Sequence, residues 1–142
     1  MDIEEIKHQG KILAIIFRHT LHSDGVKFLT PNEYTLQLGL LEHPTGKLVR
    51  DHVHNPNIKY NVNTTQEFLY IERGRVLAKI FTDDFNLIRE VELGPGDFLL
   101  HVSGGHGFEI IEKCRMIEIK QGPYPGPEHV KKYRANSNDT SQ

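Results

Sequence analysis

The chain has no tryptophan and a single cysteine, Cys114. One thiol cannot close an internal disulfide, and nothing in the cysteine usage points to an oxidising compartment. The longest apolar run covers residues 12–17, far short of the roughly 20 residues that span a bilayer. The first residues, Met1-Asp2-Ile3-Glu4-Glu5, are acidic and lack the basic-then-apolar order of a signal peptide. Neither charge sign dominates: 17 Lys and Arg stand against 19 Asp and Glu, for a formal net charge of −2. A basic footprint for nucleic acid or anionic membrane is therefore missing. So is a glycine-rich phosphate loop, which argues against a dinucleotide cofactor. No segment keeps helical periodicity over three turns, and no internal repeat is evident. These absences predict a soluble cytoplasmic protein of one domain, with no nucleic-acid or membrane partner. The 142 residues, 37% of them apolar, suffice for one core.

What the chain does have is a series of short apolar segments separated by turn residues. Strands are predicted over 11–18, 34–41, 48–54, 85–93 and 98–102. Residues 66–72 and 76–82 flank Arg73-Gly74, which reads as a tight hairpin. Residues 106–112 and 115–121 read as a last hairpin. Gly94-Pro95-Gly96-Asp97 is a strong turn. Residues 2–8 and 127–133 have room for one helical turn each. Eight or more strands at regular spacing predict an all-β barrel or jelly roll with no helical layer. The domain is expected over 1–125. The proline-rich stretch after Gln121 leaves the sheet, and 126–142 is expected as a partly disordered tail, with 135–142 the most polar part.

The tripeptide His52-Val53-His54 closes the 48–54 segment. Residues two apart in a strand share a face, so both imidazoles would point the same way, beside Arg50 and Leu48. Two neutral imidazoles on one face are half of a divalent metal site. Glu67 shares a face with Leu69 and Ile71. His106 follows the flexible turn Ser103-Gly104-Gly105 and shares a face with Phe108 and Ile110. Each residue also has a plainer explanation: the histidine pair as a solvent-facing strand, Glu67 as an outer-face carboxylate, His106 as a turn cap. His101 alternates with Leu100 and Val102 and is expected at the surface. An inward Arg50 would require an anionic partner. Lys59 and Tyr60 lie where a loop can reach over a pocket. Cys114, between Lys113 and Arg115, reads as a passive thiol.

In this order the residues resemble the cupin family. Glu67, six residues and Gly74 look like the end of the first cupin motif, which opens with a His-x-His pair. Gly96-Asp97, followed by Gly104 and His106, looks like the second motif. The resemblance covers roughly residues 36–121. Two departures stand out. Twelve residues separate His54 from Glu67, where three or four are usual. Val102 stands where a proline is expected, and the turn before His106 is one residue shorter. The resemblance implies a double-stranded β-helix holding one divalent metal (Zn, Fe, Mn or Ni) on His52, His54, Glu67 and His106. It makes 55–65 an inserted loop at the barrel mouth. It also implies a homodimer in which the 11–18 strand extends the partner's sheet. The texture is further similar to small cupins found with surface-polysaccharide genes. That implies a metal-dependent isomerase or epimerase of a small-molecule substrate, a sugar or sugar nucleotide. Glu67 or Tyr60 would be its base, and Arg50 and Lys59 would hold the substrate. An Fe(II) dioxygenase and a non-catalytic sugar- or anion-binding cupin stay open beside it. With 5 Tyr, 7 Phe and no Trp, aromatic sugar platforms are few.

Overall fold

Alternating apolar residues make strand faces, but a strand exists only where a neighbour takes its hydrogen bonds. A computed structural model describes residues 1–135 and shows which segments find neighbours. They are β1 (Ile3–His8), β2 (Lys11–Phe17), β3 (Gly25–Phe28), β4 (Gly39–Glu42), β5 (Glu67–Phe81), β6 (Leu87–Leu93), β7 (Phe98–His101) and β8 (Gly105–Lys120), followed by a four-residue helix α1 (Pro127–Val130). One antiparallel sheet runs β1-β2-β7-β5-β6, with β8 on the other side of β5. β3 and β4 form a separate ribbon. The large sheet curls strongly into a half-barrel, so the all-β class holds.

Strand β5 organises the sheet. Residues 67–70 of β5 pair with β7, and residues 76–81 pair with β6. Strand β8 runs the whole length of its other side. Two expected hairpins are thereby corrected. Arg73-Gly74 does not reverse the chain, because both halves of β5 continue along the same neighbour, β8. Gly74 instead sits at a run of register shifts with φ of 87°. A Cβ there would lie 2.3 Å from the Lys113 carbonyl oxygen and 2.5 Å from Cys114 Cα. Two irregular backbones meet at this point, and the bend needs a residue without a side chain. For the same reason 105–120 is one bent strand and not a last hairpin.

Three other expectations change. Residues 2–8 form β1 and no helical turn, since the edge of β2 gives them a ladder partner. Within 34–41 only the end joins β4, while Leu36 and Leu38 pack side-on against the sheet. Residues 48–54 form no strand, and 43–65 is exposed throughout. Its alternation is real, but Leu48 and Val53 are 87% and 89% exposed, and among the described residues no strand pairs with it. The single turn near 127–133 is α1. The tail expected from 135 onwards lies, after Ala135, outside the described residues. Among the described residues no helix is long and apolar enough to cross a membrane.

Both faces of the central strands are buried. The concave face carries Ile6, Ala14, Ile16, Leu69, Ile71, Val76, Ala78, Ile80, Val91, Leu93 and Leu99. The convex face carries Ile15, Phe17 and Leu100, covered by Leu21, Leu29, Tyr34, Leu36 and Leu38. Phe17 stacks on Phe98 at 4.9 Å, and Phe98 meets Phe68 at 5.6 Å. At the closed end, Glu4 binds Arg18 (3.0 Å) and Arg89 (2.7 Å), and Arg18 also reaches Asp97 (3.2 Å). The Asp97 carboxylate accepts the backbone N–H groups of Gly94 and His19, both at 2.9 Å. That closes the turn expected at 94–97.

Replacing Gly74 separates backbone strain from steric conflict. Gly46 has the same φ of 87° with open space around it. Gly46→Ala should cost about 1 kcal/mol, and Gly74→Ala about 3 kcal/mol or more, because only the second also displaces backbone. Urea denaturation of both variants reads the difference; equal losses would show that the β5–β8 contact yields freely.

Candidate functional site

The register of the sheet lines up side chains in rows. Residues directly opposite each other in antiparallel strands share a face. One row runs Ala14, His101, Glu67, Lys120 across β2, β7, β5 and β8. The next runs Ile16, Leu99, Leu69, Glu118. The concave face is therefore apolar in its floor and becomes polar at the Glu67 end of β5.

His106 reaches this end from the other direction. It pairs with Ile80, at the far end of β5 from Glu67. The curl of the β5–β8 ladder closes that separation, and His106 Nε2 lies 3.5 Å from Glu67 Oε1. This is ion-pair range, longer than an ordinary N–H···O hydrogen bond. His106 Nδ1 is buried without a hydrogen-bond partner. The turn before His106 is fixed to β2. Val102 N–H and Ser103 N–H both donate to the Leu13 carbonyl, at 2.8 and 3.1 Å, and the Ser103 hydroxyl donates to the Ile12 carbonyl at 2.7 Å. Gly104 turns there with φ of 75°, and a Cβ on it would meet the Phe81 carbonyl oxygen.

His101 completes the cluster. Its ring meets His106 edge-on with centroids 4.3 Å apart, and its Nε2 lies 2.9 Å from the Gly104 carbonyl oxygen. A carbonyl only accepts, so Nε2 carries the proton. His101 and Glu67 are each 8% exposed. The surface position expected for His101 is thus corrected. β7 lies between β2 and β5 with both faces covered, so its alternation separates two interiors.

Burial fixes the protonation states, with neighbours adjusting them. Burial, then the His106 charge, holds His101 down from 6.5 to about 4. Glu67 is opposed by burial, yet the contact and charge of His106 outweigh it and hold its carboxylate well below the usual range. Glu118 is pushed up, first by burial and then by its hydrogen bond to Glu67 and the charge there, against the pull of Lys120 and Lys131. A hydrogen bond between two carboxyl groups needs one proton. The upward push on Glu118 and the downward pull on Glu67 make Glu118 the side on which a shared proton rests. The cluster can therefore accept a proton at Glu67 and supply one from Glu118, whose side chain is 40% exposed and marks the open side.

The sequence-predicted residues fall into two groups. Glu67 and His106 meet at the concave end. His52 and His54 meet each other, ring centroids 5.4 Å apart, on the exposed 43–65 segment. Arg50, Lys59 and Tyr60 are on that same segment, with Tyr60 84% exposed. Among the described residues no three His, Cys, Asp or Glu side chains converge to hold a metal ion. Two surface recesses, of about 180 and 670 Å³, lie elsewhere, and neither is lined by Glu67 or His106. Sequence reasoning missed His101, Glu118 and Lys120. The signal for the last two was strand parity with Glu67, which becomes readable only once the β5–β8 register is known.

Stability should depend on the His101 proton. The unfolded chain takes that proton near pH 6.5, and the folded chain refuses it until about pH 4. The associated stability is complete above pH 6.5 and falls as the pH drops through this window, by at most about 1.4 kcal/mol per pH unit. Urea midpoints of the wild type and His101→Gln should therefore lie closer together at pH 4.5 than at pH 7. An undiminished gap at pH 4.5 would mean that folding does not hold His101 neutral.

Compared with family models, with curated proteins and with solved structures, the chain matches none, so its residues alone must carry the functional reading.

Proposed function

We propose that the protein is a cupin-type barrel that binds one divalent metal and moves a proton on a sugar or sugar nucleotide, as an isomerase or epimerase does. On this reading it works in the cytoplasm as a homodimer. The observation that carries the reading is the Glu67–His106 pair, formed from opposite ends of one curled ladder at the mouth of an apolar trough. A carboxylate held low, an imidazole and a carboxyl pushed up, side by side, suit a reaction that removes a proton from carbon and returns one.

The donor set fits a divalent ion. His52 Nδ1 lies 2.8 Å from the Arg50 carbonyl oxygen and must donate to it, which leaves Nε2 as the free lone pair of the neutral ring. His54 stands beside it, and Glu67 and His106 supply one oxygen and one nitrogen. These four residues would hold the metal, and the reading requires the two pairs to come together. Two features favour that. Among the described residues 43–65 has no strand partner, and β8 is hydrogen-bonded there only to β5, with Ile110, Ile117 and Ile119 exposed. When bound, the metal would polarise a carbonyl or hydroxyl oxygen as a Lewis acid. Glu67 serves as ligand or as base, and Tyr60 is the other candidate base. Arg50 and Lys59, both exposed, are placed to meet an anionic, hydroxylated substrate. Glu118 returns the proton.

Protein purified without a histidine tag should carry about one divalent ion per chain. His52→Ala and His106→Ala should each lower that content at least tenfold while the barrel still folds. Solvent deuterium should wash into a nucleotide sugar or sugar phosphate with the wild type, and Glu67→Gln should abolish the exchange. Elemental analysis showing no metal after exposure to Zn, Mn, Fe and Ni would end the metal part. Oxygen uptake with Fe(II), and no proton exchange, would replace the isomerase by a dioxygenase.

A further inference from the structure

We propose that His101 is a positioning residue, which fixes both the turn that delivers His106 and the orientation of the His106 ring. The inference deepens the reading above, since it concerns the same proton-transfer pair. Three connections hold residues 102–104 to β2, and all three come from Val102 and Ser103. None reaches the far side of the turn, where Gly104 must keep a left-handed backbone. His101 Nε2–H closes that gap by donating to the Gly104 carbonyl, locking the turn from its inner side.

The same ring then acts on His106. Among the described residues nothing hydrogen-bonds His106 Nδ1, and Nε2 has only its 3.5 Å contact with Glu67, longer than an ordinary hydrogen bond. Packing must therefore share in fixing the rotation of that imidazole. The edge of His101 meets it on one side at 4.3 Å, and Phe108 meets it on another at 5.4 Å. Phe108 lies two residues along the same strand and moves with it. His101 belongs to a different strand and is the external reference. It sits opposite both Ala14 and Glu67 in the sheet, so it ties His106 to the frame that carries Glu67.

The test reads ring geometry with neither metal nor substrate, so it stands apart from any failure of the sugar reading. In wild-type protein at pH 7, long-range proton–nitrogen NMR correlations should show His101 neutral with its proton on Nε2. His101→Leu should keep the native amide spectrum but lose the single His106 ring conformer, together with the Overhauser contact between the His106 ring and the Glu67 side chain. His101→Gln, whose amide nitrogen reaches about as far as Nε2, should restore that contact. A proton on Nδ1 of His101 in the wild type would overturn the proposal. So would unchanged His106 signals in a folded His101→Leu. If His101→Leu does not fold, the wild-type tautomer and His101→Gln decide: loss of the contact in folded His101→Gln would also overturn it.

Discussion

The ladder between β5 and β8 is the constraint on which the rest of the molecule depends. It runs the length of both strands, and it bends where Gly74 meets the backbone of Lys113 and Cys114. Straight, it would place Glu67 and His106 at opposite ends of β5, tens of ångströms apart at about 3.3 Å per residue. Bent, it brings them within 3.5 Å. The curl also makes the concave face narrow enough for Ile71, Val76, Ala78 and Ile80 to share one core with β2, β6 and β7. Fold and site thus follow from one backbone contact that admits only glycine.

The electrostatics of the concave end follow from its position on that face. Burial alone would neutralise every group there. It does neutralise His101, which has a carbonyl to bind and no counter-charge strong enough to keep it ionised. Glu67 escapes because His106 faces it, and Glu118 beside it is pushed the other way. Ionisable groups on one face are thereby shifted in different directions, set by how deep each lies and which neighbour it faces. The Glu4, Arg18, Arg89 and Asp97 network elsewhere works differently: its charges are paired and hydrogen-bonded, and they join β1 and β2 to β6 and to the turn before β7.

Most strands were legible in the sequence, because β2, β6, β7 and the halves of β5 and β8 alternate or cluster in the way a sheet demands. What could not be read was continuity. Arg73-Gly74 looks like a reversal locally, and only the presence of β8 alongside turns it into a bend. Residues 48–54 alternate as well as any strand in the chain, yet alternation does not supply a partner. Glu67 and His106 were legible as candidates because their types and order carry chemistry. His101 was not, because a histidine between two apolar residues looks solvent-facing unless both faces of its strand are known to be covered. Glu118 and Lys120 needed the cross-strand register, which depends on the bulges opposite Gly74.

The anchoring of the turn at 102–104 carries a consequence for precision. The turn before His106 is tied to β2, through Leu13 and Ile12, while His106 itself and Glu67 both lie on the β5–β8 ladder. Their separation therefore depends on the curl of that ladder and on the spacing of β2 from β5 across β7. Any error in the spacing of β2 from β5 is felt first at the turn that precedes His106. A methylene gained or lost at Ala14 or Ile16, buried and without chemistry of its own, would misalign the pair as surely as a change beside it. The apolar floor is the datum of the polar site, and its side-chain volumes are held to the tolerance that the site requires.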